Sequence, residues 1–154
     1  MASSIPGAVA YWKELATTTL ASTATSPQGI YVWFGTPLSK YIAPITLQIC
    51  SVVDITHEWA NVGSQFKVEE HYKIRNQLVS YAGGTDFMGR MNEVFSNMLL
   101  LTTAIAADYS LGGNVRLCLP MVEGEYMPGT DASGKTMGSL MFDIHCEARI
   151  TTIS

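Results

Sequence analysis

One stretch of this chain has the spacing of a phosphate-binding loop. Gly129–Thr130–Asp131–Ala132–Ser133–Gly134–Lys135–Thr136 matches G-x-x-x-x-G-K-[ST]. In that loop, backbone N–H groups cradle phosphates, the lysine contacts them and the hydroxyl sits on magnesium. The chemistry also needs a strand before the loop, a helix after it and a parallel sheet around both. Here the preceding Glu123–Pro128 is turn-rich, and only 18 residues follow Thr136, too few for a later acidic strand to hold magnesium. The motif therefore reads as a hydrophilic loop tip. His57, His71 and His145 lack ligand spacing. His57 falls on an apolar face and reads as a satisfied core or interface histidine, whereas His71 and His145 fall on polar faces. There is no G-x-S-x-G, and no cysteine has a catalytic context. Cys50, Cys118 and Cys146 are an odd set, each in an apolar strand pattern. They read as free buried thiols, which fits folding in a reducing compartment. The acid pairs Glu69/Glu70 and Glu123/Glu125 read as solvated faces, and Met88, Met91 and Met98 as helix core. No enzyme, cofactor or metal site is expected.

Composition points towards assembly. The chain has 154 residues, about one domain. Hydrophobic residues make up 47% and charged residues only 14%, against about 25% charged in a typical soluble domain. Weakly polar surfaces of this kind tend to pack against other subunits. Nine Lys+Arg against 13 Asp+Glu leave a net charge of -4 with no basic stripe, which disfavours binding to duplex DNA through its phosphates. An acidic surface does suit DNA that must slide past without sticking. The first residues carry no basic segment followed by an apolar run. No apolar stretch approaches the ~18 residues of a membrane helix, so synthesis in the cytosol and no membrane association are expected.

Periodicity then supplies the elements that would position any site. Ser3 and Ser4 before Pro6 suit a helix start. Val9, Trp12, Ala16 and Leu20 mark an amphipathic helix over about Pro6 to Ala21. Ile30–Phe34 is β-branched and aromatic, hence a strand. A long alternation from Ile45 through Leu47, Ile49, Ser51, Val53, Ile55 and His57 to Trp59 predicts a strand with one buried face. A second runs through Phe66, Val68, Glu70, Tyr72, Ile74 and Leu78, and the two predict an antiparallel pair. After Gly83–Gly84, with Thr85 or Asp86 as cap, a helix is predicted from about Phe87 to Asp108. Its apolar face is Met91, Val94, Phe95, Met98, Leu99, Thr102 and Ile105, and its few charges suggest cover on more than one side. Gly112–Gly113 supplies the positive φ angles of a helix-to-strand reversal. Val115, Leu117 and Leu119 begin another strand. Pro120–Lys135 reads as a long connection or hairpin arm. The final run, Leu140 to Ile150, fits either period, and Ile150–Thr151–Thr152–Ile153 with Gly138 decides for strand. The fold class expected is α+β: a mostly antiparallel or mixed sheet, two helices on one face, and a long loop before the last strand.

The pattern resembles the tail terminator proteins of long-tailed bacteriophages, also known as minor tail or head-to-tail joining proteins. The resemblance runs over most of the chain. It rests on an N-terminal helix leading into Tyr31–Val32–Trp33–Phe34–Gly35–Thr36–Pro37, similar to a V-x-x-G-x-P pattern. It continues through the strand pair containing Glu70–His71–Tyr72–Lys73–Ile74, the helix closing on Asp108–Tyr109–Ser110–Leu111–Gly112–Gly113–Asn114–Val115, and the last strand Leu140–Arg149. The resemblance implies a virion protein that forms a homohexameric ring on the tail tube and stops addition of tube subunits. Its partners would be copies of itself, the tail tube protein and a head-completion or connector protein. DNA would pass through the lumen without sequence-specific binding. No catalytic, metal or cofactor residue is carried over. Candidate contacts are Met121, Glu123, Glu125, Tyr126, Asp131 and Lys135 on the Met121–Lys135 loop, and Arg75, Arg90 and Arg116, arginine being favoured at interfaces. The alternatives are another neck or tail component, such as a connector or tube subunit, and a small-ligand-binding or enzymatic module.

Overall fold

A helix stands at each place the periodicity asks for one. The computed structural model describes residues 3–22, 29–35, 43–62, 65–120, 123–130 and 134–153. α1 spans Ile5–Ala21 and buries Ala8, Trp12, Ala16 and Leu20, one residue per turn. β1 (Ile30–Phe34), β2 (Ile45–Val62) and β3 (Gln65–Ala82) follow, then α2 (Phe87–Ala107), β4 (Leu117–Leu119), β5 (Gly124–Thr130) and β6 (Thr136–Ile153). The sheet order is β1-β2-β3-β6-β4, and β5 also pairs with β6. β1 runs parallel to β2 and every other pairing is antiparallel. Both helices join one buried cluster with the same sheet face, so the fold is α+β with a mixed sheet. The stretch Pro120–Lys135, expected as a long connection or hairpin arm, contains β5, which forms a hairpin with β6. Its Glu and Pro content masked a strand that lies at the sheet edge, the position where proline is tolerated.

β2, β3 and β6 each have 18 residues, which is about 60 Å of strand. The 21 residues of α2 give only about 30 Å of helix. The sheet is thus about twice as long as the longer helix.

β2 corrects the expectation of an unbroken alternation. Its register against β3 shifts between Ile49 and Ser51 and again between Val53 and Thr56. Each shift inserts one residue and turns the following side chains to the other face. Ile45, Leu47 and Ile49 face the helices, and after the first bulge that face passes to Val52, opposite Ile74. Ser51 and Val53 lie opposite Arg75 and Lys73 on the outer face instead. Ile55 is exposed in the second bulge, beside Asp54 at φ 53°. The second shift restores the first parity, so His57 and Trp59 lie opposite Glu70 and Val68.

The helix-to-strand junction acts as a clamp on α1. Leu111, Gly112 and Gly113 take φ of 46°, 67° and 86°, the left-handed region that favours glycine. Asp108 Oδ1 accepts from the Gly112 amide at 3.1 Å, and Asp108 also accepts from the Tyr11 hydroxyl of α1. A Cβ on Gly112 would run into the Tyr11 ring.

Glu70, expected on a solvated face, is fully buried. Its carboxylate receives Ser3 Oγ at 2.8 Å, the Ser4 amide at 2.9 Å and Ser4 Oγ at 2.6 Å, with His57 Nε2 at 2.8 Å. Ser4 is the N-cap of α1, but its side chain makes no bond to the helix. It reaches Glu70, a carboxylate placed by β3 at the positive end of the helix. Burial pushes the Glu70 carboxyl up, but the hydrogen bonds from Ser4, Ser3, the Ser4 amide and His57 outweigh it and hold the group below the ordinary 4.5.

Candidate assembly surface

α2 carries two apolar stripes, and the rest of the fold covers one. Asp86 caps the helix by accepting from the Gly89 amide at 2.8 Å. Val94, Met98, Leu101 and Ile105 point into the core. Met88, Phe95 and Leu99 recur seven and four residues apart, roughly 100° further round the helix. They are 63%, 41% and 67% exposed. Met88 was expected in the helix core, and Phe95 and Leu99 on the buried face. The sheet and α1 reach only one side of the helix, so all three remain at the surface. Asn92, Ser96, Thr103 and Ala106 share that surface. The only charges on α2, Arg90 and Glu93, lie on the side towards β3. Arg90 Nη1 donates to Ser80 Oγ at 2.9 Å and to Glu93 Oε2 at 3.1 Å. The exposed stripe is therefore uncharged. It borders β5: the rings of Phe95 and Tyr126 stand 5.5 Å apart at 43°. β5 itself is mostly exposed.

The other sheet face has the opposite character. Glu69, His71, Lys73 and Arg75 of β3 stand beside Arg149, Glu147, His145 and Asp143 of β6. Arg75 forks onto Asp143 through Nε and Nη2 at 3.0 and 3.2 Å. The Asp143 carboxylate raises Arg75 above its ordinary range. Arg149 Nε donates to Glu69 at 2.6 Å. That bond, with Arg149 and Arg116 nearby, holds Glu69 below the carboxylate range although burial opposes it. Arg116 Nη2 lies 3.2 Å from Glu147, and Lys73 Nζ 3.3 Å from Asp54. The face is a lattice of charges that pair largely within the chain.

The structure disperses the residues that sequence reasoning singled out. Arg75 and Arg116 lie on the charged face and Arg90 beneath α2, all three in intramolecular pairs. Glu123 and Glu125 are exposed at the start of β5 and line a surface cleft with Arg75 and Asp143. Tyr126 turns towards α2. Lys135 sits at the base of β6, and Met121 and Asp131 lie outside the described residues. Gly129 to Thr136 spans the β5–β6 hairpin. The element after Lys135 is a strand, and the Thr136 hydroxyl donates to the Gly84 carbonyl. This arrangement offers no helix N-terminus for a phosphate. The His71 and His145 rings are 6.5 Å apart on the charged face, while His57 is on the opposite face with Glu70. Among the described residues no three His, Cys, Asp or Glu side chains converge as a metal group, and no helix is long and apolar enough to cross a membrane.

Besides β5 and the bulges of β2, sequence reasoning missed two features. Glu70 falls in the same alternation as Val68, Tyr72 and Ile74, and that parity was the signal for its burial. The separation of α2 into two stripes had a weaker signal: more apolar residues than a single ~100° face holds. No protein-family model matches the chain, and no curated protein sequence matches it.

Proposed function

We propose that this chain is a structural subunit that closes into a ring and caps a phage tail tube, in the manner of the tail terminator proteins it resembles. The observation that carries the reading is the bare, uncharged stripe of Met88, Phe95 and Leu99 on α2. Contiguous exposed apolar side chains mark association surfaces, and a stripe beside a sheet edge suits contact between copies. A ring needs a heterologous contact that closes on itself. The charged sheet face, paired largely within the chain, suits solvent or a polar lumen. A net charge of -4 favours DNA sliding through rather than binding. On this reading the protein belongs to the virion, a hexamer being implied by the resemblance. It meets the tube protein on one side and a head-completion protein on the other, and it does no chemistry of its own.

The test is light scattering of the purified protein together with electron microscopy of tails made without it. A closed ring in solution, with overlong headless tails in its absence, is the expected result. A monomer at all concentrations, or tails of normal length that join heads, overturns the proposal. Long cylinders of the protein alone would assign it to the tube instead.

A further inference from the structure

Two of the three cysteines are neighbours across the sheet. Cys118 on β4 and Cys146 on β6 occupy directly opposed positions in the antiparallel register. Both are buried, and the Cys146 thiol donates to Cys118 Sγ at 3.9 Å. Opposed residues of an antiparallel pair have Cα atoms about 4.5–5.5 Å apart, inside the ~4.4–6.8 Å window of a disulfide. Side-chain rotation is the movement required. Cys50, on β2, is two strands away from β6 and cannot substitute.

We propose that Cys118 and Cys146 are a latent disulfide site, closed by a peroxide, which pins the edge strand β4 to β6. The neighbouring Cys146 thiol and burial both push the Cys118 thiol up, so the closed pair is inert. β4 gates the reaction. It has only three residues, pairs with β6 alone and lies at the sheet edge, so it opens at low cost relative to the central strands. Once β4 opens, Cys118 gives its proton to water. The thiolate then attacks one peroxide oxygen, the O–O bond breaks, hydroxide leaves and a sulfenic acid forms. On reclosure Cys146 Sγ attacks that sulfur, the S–S bond forms and the S–OH bond breaks. The departing hydroxide takes the Cys146 proton. Two thiols and one peroxide thus yield a disulfide and two waters, each sulfur giving up one electron.

The experiment treats the folded full chain with hydrogen peroxide, blocks remaining thiols after denaturation and maps peptides by mass. The expected product is one linked peptide pair joining Cys118 to Cys146, lighter by two hydrogens, with Cys50 outside the link. Cys118→Ser should abolish it. The map of the unsubstituted protein decides the matter whether or not that variant folds. Recovery of Cys118 and Cys146 as free thiols, their separate over-oxidation, or a link from either one to Cys50 would each overturn the assignment.

Discussion

Replacing Leu99 with Gln probes the exposed stripe without disturbing the subunit. Leucine and glutamine have nearly equal helix propensity, and Leu99 is 67% exposed. Surface substitutions of this kind move folding stability by about 0.5 kcal/mol or less. Burying a whole leucine side chain is worth about 1.5–3 kcal/mol. The part of Leu99 still exposed therefore has about 1–2 kcal/mol left to contribute when a partner covers it, and at about 1.4 kcal/mol per tenfold each contact should weaken roughly 5- to 30-fold. A closed ring multiplies the loss over every interface. Sedimentation velocity across a dilution series reads assembly, and urea unfolding of the same samples reads the fold. The expected pair of results is an unchanged unfolding midpoint and a ring that dissociates at higher concentration. An intact ring at wild-type concentrations, with the fold unaltered, would refute α2 as the contact.

Three further outcomes concern the subunit itself. Glu70→Gln removes a buried carboxylate that is ionised in the fold, and should cost about 1–3 kcal/mol at neutral pH in urea unfolding. Because the folded pKa of Glu70 is depressed, its contribution is fully present above about 4.5 and is lost as pH falls through the folded value; the variant should show a flatter acid limb of Tm against pH. Gly112→Ala and Gly113→Ala both force alanine to positive φ, but only Gly112 abuts the Tyr11 ring. Denaturation should rank the first well above the second, whose loss should stay near 1 kcal/mol. Trp12→Phe deletes the donor that reaches Asn76 Oδ1 at 2.8 Å in the core. The buried acceptor left behind should lower stability by about 1–3 kcal/mol in the same assay.

Much of the architecture is written in local pattern. The helical recurrence of Val9, Trp12, Ala16 and Leu20 (with Ala8 taking the fully buried place expected of Val9), the period-two run from Val68 to Leu78, and the caps around α2 each depend on neighbours within a few residues. A linear reading recovers such features because burial of one face needs only the right spacing. Gly112–Gly113 belongs with them, since a helix-to-strand reversal requires positive φ wherever it falls. The bulges of β2 do not belong with them. Ser51, Val53 and Ile55 continue an alternation that Val52 breaks, and only the register against β3 decides between the two. β5 was likewise hidden, because an edge strand that buries little carries little hydrophobic signal.

The sequence by itself determined the two helices, the long antiparallel strands and a low overall content of charge, since composition and periodicity act over short range. Tertiary structure alone decided that Glu70 meets the Ser3 and Ser4 donors at the start of α1, that Cys118 faces Cys146, and that one apolar stripe of α2 is left bare. Each of those facts joins residues far apart along the chain, or depends on how far a packing partner extends. Pairing across the sheet and the reach of a neighbouring element are set by the assembled fold, and no window of residues encodes them.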